Sequence, residues 1–317
     1  MGLSEQFSKF VASERTSIET ALRSSLPVST LRGAGRLNEA IVYAVFPGGK
    51  RMRPALALLA SGLAGASREQ GLAVACAVEF LHSSSLILDD LPSMDDAVLR
   101  RKRRALHLVY GEGVAVLASV ALLNQSYALF AEAARACGGR AVDGAALVRE
   151  AAACVGSDGM VGGQVVDLET RAGGADARTL ACRDQKTVAL MRLLMTAGAL
   201  ACGAGAAETR TLAHFGECVG RAYQICDDIL DVTRPSEATG KPAGQDARHG
   251  RASAVEGLGA EGARALARRL IARGIARLYE CFGARDEVGL LSDAAMCVLD
   301  AAGAVGVPVA AQEEAVA

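Results

Sequence analysis

The chain has 317 residues, of which 51% are hydrophobic, 22% are charged and none is tryptophan. Its formal net charge is -1 at pH 7, so no overall field recruits nucleic acid or an anionic membrane surface. The nine cysteines form no C-x-x-C pair and the first residues lack a signal-peptide pattern, which predicts reduced thiols in a cytoplasmic protein.

Apolar residues recur at spacings of three and four along most of the chain, which predicts helices rather than strands. Every apolar stretch is interrupted within about 18 residues, so we expect no membrane span. Several helices are apolar nearly all round, as in the centre of a large bundle. We therefore predict an all-α fold, one domain over residues 1–317 with a bundle around a central cavity. The predicted helices are 3–26, 35–46, 54–65, 69–90, 111–137, 143–168, 176–203, 207–233, 260–282 and 286–302.

The helix predicted over 69–90 carries a polar stripe on an otherwise apolar surface. His82, Ser85 and Asp89 share one face by helical spacing. Polar groups on a buried helix are costly unless they face a cavity, a ligand or polar partners. A satisfied buried network explains these three residues as well as a binding site does.

Four carboxylates lie within eight residues at the end of this helix: Asp89, Asp90, Asp95 and Asp96. Pro92 prevents a regular helix from continuing through them. Such a cluster is either a solvated acidic loop or a site for a hard divalent cation such as Mg²⁺, which takes carboxylates together with substrate phosphates.

A second acidic stripe follows in the helix predicted over 207–233. Gln224, Asp227, Asp228 and Asp231 recur at helical spacing, and apolar side chains fill the other faces. Two facing acidic helices would form a metal cage with coordination sites open to a phosphorylated ligand.

Basic residues provide candidate anion-binding groups near these stripes. Residues 48–54 form a Gly-Gly loop with Lys50 and Arg53 before a helix, and residues 100–104 are five consecutive cations. Lys186-Thr187 begins another apolar helix, and Lys241 lies in the loop after the second stripe. Ordinary surface charge is the alternative interpretation of each motif taken alone.

Together these motifs resemble the trans-type isoprenyl diphosphate synthase family, over about residues 40–253. The first motif has the form D-D-x-x-x-x-D followed by Arg100-Arg101, and the second has the form D-D-x-x-D at residues 227–231. The loop 48–54, Lys186-Thr187 and a G-G-Q-x-x-D motif at residues 162–167 match in order and approximate spacing.

The resemblance implies a homodimeric, Mg²⁺-dependent prenyltransferase that binds three metal ions with substrate and joins isopentenyl diphosphate to an allylic diphosphate. Thr187 and Gln224 would line the reaction centre, and Lys186 would also be catalytic. The implied ligands of isopentenyl diphosphate are Lys50, Arg53, His82 and Arg101. The implied metal ligands are Asp89, Asp90, Asp95, Asp227, Asp228 and Asp231, and the implied contacts of the allylic diphosphate are Arg100, Lys186 and Lys241.

Some positions depart from the family pattern. Lys102 replaces a glycine after the arginine pair, Val120 replaces an aspartate, and Gln245 and Arg251 replace lysines. No departure removes a metal carboxylate, so we expect activity, although the change at Gln245 puts the rate and the closure of the site in question.

Product length is predicted from Ser84 and Ser85, which lie about one turn before Asp89. Helical side chains lean toward the helix N-terminus, so these residues border the floor beneath the allylic diphosphate. Small side chains there favour C20 geranylgeranyl diphosphate, with C15 farnesyl diphosphate as the alternative. A class I terpene cyclase and a non-catalytic synthase subunit are the rivals. The paired basic motifs argue against the cyclase, and the complete aspartate sets argue against the subunit.

Overall fold

The computed structural model describes residues 5–135, 144–170, 176–233 and 253–301. Within these ranges the chain is helical, with a single pair of very short strands, so the all-α prediction is confirmed. The helices are α1 (Glu5–Ser24), α2 (Gly35–Val45), α3 (Met52–Leu63), α4 (Arg68–Asp89), α5 (Leu106–Tyr110), α6 (Glu112–Arg135), α7 (Gly144–Val155), α8 (Met160–Glu169), α9 (Ala177–Arg183), α10 (Gln185–Cys202), α11 (Ala206–Thr233), α12 (Ala254–Phe282) and α13 (Asp286–Ala301).

Two apolar helices, α4 and α10, form the centre of the bundle. α4 packs against α3 and α6, and α10 packs against α3, α4 and α11. Phe80 of α4, Leu193 of α10 and Phe215 of α11 are almost completely buried, and burial of apolar side chains of this size is the dominant favourable term in folding. The same contacts bring α3, α4, α10 and α11 together, and these helices carry most of the predicted site.

Two of the predicted helices are each divided in two. The helix predicted over 143–168 is interrupted between α7 and α8, where Gly156 and Gly159 stand. The helix predicted over 176–203 is interrupted at Asp184, which caps both α9 and α10. The helix predicted over 260–282 instead begins at Ala254 and kinks at Gly259, where φ is +65°. Hydrophobic periodicity continues across these short interruptions, so spacing alone did not reveal them.

The sequence prediction also missed a hairpin between the first acidic cluster and α5. β1 (Leu99–Arg100) pairs antiparallel with β2 (Arg103–Arg104). The two residues between the strands, Arg101 and Lys102, have φ of 52° and 63°, as a type I′ turn requires. Arginine and lysine are poor residues for left-handed backbone, so this turn gives no sequence signal.

Lys102→Gly is expected to stabilise the protein by about 0.5–1 kcal/mol. Glycine removes the left-handed strain, worth about 1–2 kcal/mol, and costs about 0.5–1 kcal/mol in unfolded-chain entropy. Urea unfolding of the two proteins measures the difference. Lys102→Ala is the matched control, because it removes the same charge but keeps Cβ. Equal gains in both variants would show that charge, not backbone strain, is responsible.

Two described helices, α4 and α6, are long and apolar enough to cross a membrane by length and composition alone. In α4, 67% of the most apolar window is buried inside the bundle, and in α6 the share is 39%. The α4 burial is that of a core helix, while α6 keeps part of its apolar surface outside.

Candidate active site

Contacts between the starts of α3 and α10 and the last turns of α4 and α11 link many of the predicted site residues: Arg53 contacts His82 and Tyr223, Lys186 lies beside Asp89, and Thr187 binds Gln224. Asp89 ends α4 and the second aspartate motif lies near the end of α11, while Arg53 lies in the first turn of α3 and Lys186 in the first turn of α10. Helix C-termini favour bound cations and helix N-termini favour anions, so the four ends suit a metal–phosphate complex. The arrangement places acidic and basic groups of distant sequence segments in one region.

Asp89 retains partial solvent access although most of α4 is buried. Burial raises the pKa of Asp89 to about 6, and the nearby ammonium of Lys186 opposes this rise. The loop after α4 folds back, so that the N–H of Asp95 donates to the backbone oxygen of Asp89 at 2.9 Å. A divalent cation would restore the charged form of such a carboxyl, so Asp89 is suited to bind metal.

Asp90 has a different environment from its neighbour. It is 3% exposed, and Nε of Arg100 donates to both of its carboxylate oxygens at 2.9 and 3.0 Å. A second guanidinium nitrogen of Arg100 also contacts Oδ1. The structure therefore joins two predicted ligands, one for metal and one for diphosphate, in an ion pair.

Asp228 is likewise enclosed by donors. Its Oδ2 accepts from Arg183 at 3.0 Å and from the backbone N–H of Ala254 at 2.8 Å. Its Oδ1 accepts from Nε2 of Gln224 at 3.2 Å, and only 1% of Asp228 is exposed. Asp228 thus ties α11 to α9 and to the first residue of α12.

Asp227 is exposed and Asp231 is half-buried on α11. In the described ranges no three His, Cys, Asp or Glu side chains gather closely enough to form a metal site by themselves. Mg²⁺ usually takes one or two carboxylates and completes its shell with water and substrate phosphate.

Lys186 and Thr187 enter the site from the first turn of α10. Nζ of Lys186 donates to Asp167 Oδ2 of α8 at 2.5 Å, and Oγ1 of Thr187 donates to Gln224 Oε1 at 3.2 Å. Gly163 permits the close approach of α8, because a Cβ there would lie 2.3 Å from the backbone nitrogen of Lys186. Thr187 and Gln224 thereby continue the hydrogen-bond chain that ends on Asp228.

Arg53, in the first turn of α3, contacts both α4 and α11. Nη1 of Arg53 donates to Nε2 of His82 at 3.2 Å, and its guanidinium carbon lies 5.9 Å from the ring centre of Tyr223. Burial and nearby arginines hold the pKa of His82 well below its ordinary value, so the imidazole is neutral and accepts this hydrogen bond. Lys50 is exposed, and so is Arg101 at the hairpin turn, although its side chain is only 28% exposed.

The two serines predicted to set product length differ in surroundings. Ser84 is buried, and its hydroxyl lies 2.9 Å from that of Ser119 on α6. Ser85 is half-buried on the stripe with His82 and Asp89, and its hydroxyl donates to the backbone oxygen of His82 at 2.9 Å.

Lys241 was predicted to contact the allylic diphosphate, and it lies outside the described residues, as do Gln245 and Arg251. Several buried charged residues were not predicted from the sequence, among them Arg183 and Glu79. Arg183 pairs with Asp228, and Glu79 pairs with Arg51. Glu79 lies three residues before His82 on α4, and Arg183 lies three residues before Lys186. This spacing is the signal by which the sequence could have pointed to them.

Comparison with known proteins gives consistent matches. A Polyprenyl synthetase family model matches residues 34–273. The chain is 36% identical over 270 residues to the heterodimeric geranylgeranyl pyrophosphate synthase large subunit 1 of Arabidopsis thaliana, covering 83% of this chain and 71% of that protein. It is 37% identical over 259 residues to a farnesyl diphosphate synthase of Geobacillus stearothermophilus, covering 77% and 82%.

A solved structure also matches. The apo crystal structure of an FPP/GFPP synthase from Zymomonas mobilis superposes with a TM-score of 0.80 at 31% identity, covering 93% of this chain and 99% of that one.

Proposed function

Because the chain belongs to the polyprenyl synthetase family and is a trans-prenyltransferase, we propose that it makes C20 geranylgeranyl diphosphate from isopentenyl diphosphate and an allylic diphosphate. The position of Lys186 beside Asp89, together with Arg53 between His82 of α4 and Tyr223 of α11, carries this proposal. Two phosphorylated substrates explain why basic groups approach from both the α3 loop and the hairpin.

The residues fit Mg²⁺, because carboxylate oxygens are the ligands this ion prefers and Asp89 has a pKa of about 6 that a cation would lower. We propose that Asp89, Asp95, Asp227 and Asp231 hold the metal. When bound, Mg²⁺ would neutralise the diphosphate that leaves the allylic carbon. Asp90 and Asp228 already accept from arginines, so they serve as anchors that orient the two motifs.

The chain's own groups account for the remaining needs of the reaction. Lys186 adds positive charge beside Asp89, where it would stabilise the departing anion. Thr187 and Gln224 present oxygens that can stabilise the allylic cation after the C–O bond breaks. The isopentenyl double bond then attacks, and the proton lost afterwards passes to the departing diphosphate. Buried apolar helices exclude water from the cation.

The test is incubation of the purified chain with Mg²⁺, isopentenyl diphosphate and C5, C10 or C15 primers, followed by chromatographic sizing of products. The proposal expects a C20 diphosphate. A C15 product would support the farnesyl alternative, and no elongation with any primer would contradict the enzyme. A cyclic hydrocarbon formed without isopentenyl diphosphate would identify a terpene cyclase.

Ser85→Phe is expected to shift the main product to a shorter chain. Ser85 is half-buried on the polar stripe one turn from Asp89, so a phenyl ring there occupies space that a growing chain needs. Product sizing measures the shift. Ser84→Ala is the control, because it removes the hydroxyl paired with Ser119 without filling space. Unchanged length in Ser85→Phe would show that the floor lies elsewhere.

We also propose that the chain is a cytoplasmic homodimer. Val116, Leu117 and Val120 lie on one exposed face of α6, and Leu117 is 60% exposed. A continuous apolar face of this kind is typical of a protein interface. Light scattering on the purified chain tests the dimer, and a monomer at micromolar concentration would contradict it.

A further inference from the structure

Glu79 is a buried carboxylate that neither motif contains. It lies on α4, three residues before His82 and on the same face, and it is 2% exposed. Burying a carboxylate is costly unless charged partners surround it. The charged partners of Glu79 therefore indicate what this carboxylate does.

The first partner is Arg51, whose side chain is fully buried. Its guanidinium contacts Glu79 Oε1, and its Nη2 donates to the backbone oxygen of Val45 at 2.8 Å. Arg51 has φ of 55°, a left-handed conformation that is strained for arginine. The buried ion pair fixes this residue between Lys50 and Arg53.

The second partner is Arg101 at the hairpin turn, with φ of 52°. Its Nη2 lies 3.9 Å from Glu79 Oε1. Burial lowers the pKa of Arg101 from its ordinary value, and the charge of Glu79 opposes that shift while Arg51 adds to it. The same carboxylate therefore lies beside both strained arginines.

The Gly-Gly pair of the loop explains how both guanidinium groups reach one point. A Cβ on Gly48, where φ is 73°, would lie 2.3 Å from the guanidinium carbon of Arg51. A Cβ on Gly49 would lie 3.4 Å from Nε of Arg101. The loop backbone thus packs directly against the two arginines that Glu79 holds.

We propose that Glu79 is a positioning residue for the pocket of isopentenyl diphosphate. It joins the loop before α3 to the hairpin turn through Arg51 and Arg101, and so sets the distance between basic groups that would hold one diphosphate. The inference rests on the proposed function. It assigns to Glu79 no contact with substrate.

Glu79→Gln keeps the size of the side chain and removes its charge. We expect the KM for isopentenyl diphosphate to rise about tenfold or more, as is common when a supporting partner of a ligand-binding residue is lost. The KM for the allylic substrate should change less than about twofold, with kcat at saturation largely retained. Steady-state kinetics with each substrate varied separately measures this difference.

Glu19→Gln is the matched control. Glu19 accepts from Nε of Arg51 at 2.8 Å, so its loss weakens the same arginine but leaves the carboxylate beside Arg101. We expect little change in either KM. Equal rises in both variants, or a parallel rise for both substrates in Glu79→Gln, would overturn the inference.

Two further measurements test the role of Glu79 even if Glu79→Gln fails to fold or the chain does not elongate prenyl substrates. If Glu79→Gln does not fold, Glu79→Asp is compared in the same way, and a rise in KM that is absent or shared by both substrates counts against the inference. Calorimetry of isopentenyl diphosphate alone should show the same loss of affinity. This readout is independent of elongation, so it separates failure of the inference from failure of the proposed function.

Discussion

Replacing Asp89 with asparagine is expected to lower kcat for chain elongation by about 10²–10³-fold. The change keeps the size of the side chain but removes a carboxylate that would hold metal at the end of α4. Asp227→Asn on α11 should have a comparable effect, because the proposed metal–diphosphate group is shared by both helices. Initial rates at saturating substrate and Mg²⁺ measure both losses.

Asp96→Asn is the matched control within the same cluster. Asp96 is exposed and has φ of 48°, a conformation that asparagine tolerates well. Its rate should stay near that of the unmodified chain. A comparable loss in Asp96→Asn would show that the general negative charge of the cluster matters more than metal binding at Asp89.

Arg183→Met is expected to destabilise the fold by about 3–5 kcal/mol, which is the usual cost of removing one partner of a buried ion pair and leaving the other charge uncompensated. Arg183 contacts both Asp184 and Asp228, and the side chains of Arg183 and Asp228 are 3% and 1% exposed. Removing the guanidinium leaves a buried carboxylate without its cationic partner. Urea unfolding measures the loss.

Two comparisons separate the ion pair from general effects on α9. Arg178→Met changes the same residue type at an exposed position of the same helix, and it should alter stability by less than about 0.5 kcal/mol. Adding Asp228→Asn to Arg183→Met should recover part of the loss, because it removes the unpaired charge. No recovery would indicate that packing, rather than charge, explains the effect.

The helices were predictable because their apolar side chains repeat every three or four residues over long stretches. The observed bounds of α2, α4 and α11 lie within a few residues of the prediction. The β1–β2 hairpin was not predictable, because strands of two residues have no alternation to detect. Its turn residues, Arg101 and Lys102, are also unusual for positive φ.

The aspartate motifs could be found from the sequence. Which aspartates of each motif pair with arginines, and which remain to bind metal, could not. Asp89 and Asp90 are adjacent in sequence, and adjacent helical residues face different directions. Only the folded chain shows that Asp90 meets Arg100, ten residues later in the hairpin. Spacing places Glu79 and Arg183 near predicted site residues, but it cannot reveal their partners, Arg51 and Asp228, which lie far away in sequence.

The central claim is that α4 and α11 bind one metal–diphosphate group together. Calorimetric titration of the protein with inorganic diphosphate in the presence of Mg²⁺ tests this claim most directly. The proteins to compare are the unmodified chain, Asp89→Asn, Asp227→Asn and the double variant. If the site is shared, the losses of diphosphate affinity in the two single variants should not add. The double variant should then bind diphosphate only slightly less tightly than the single variant with the lower affinity. Losses that multiply in the double variant would contradict the shared site and indicate two independent ones.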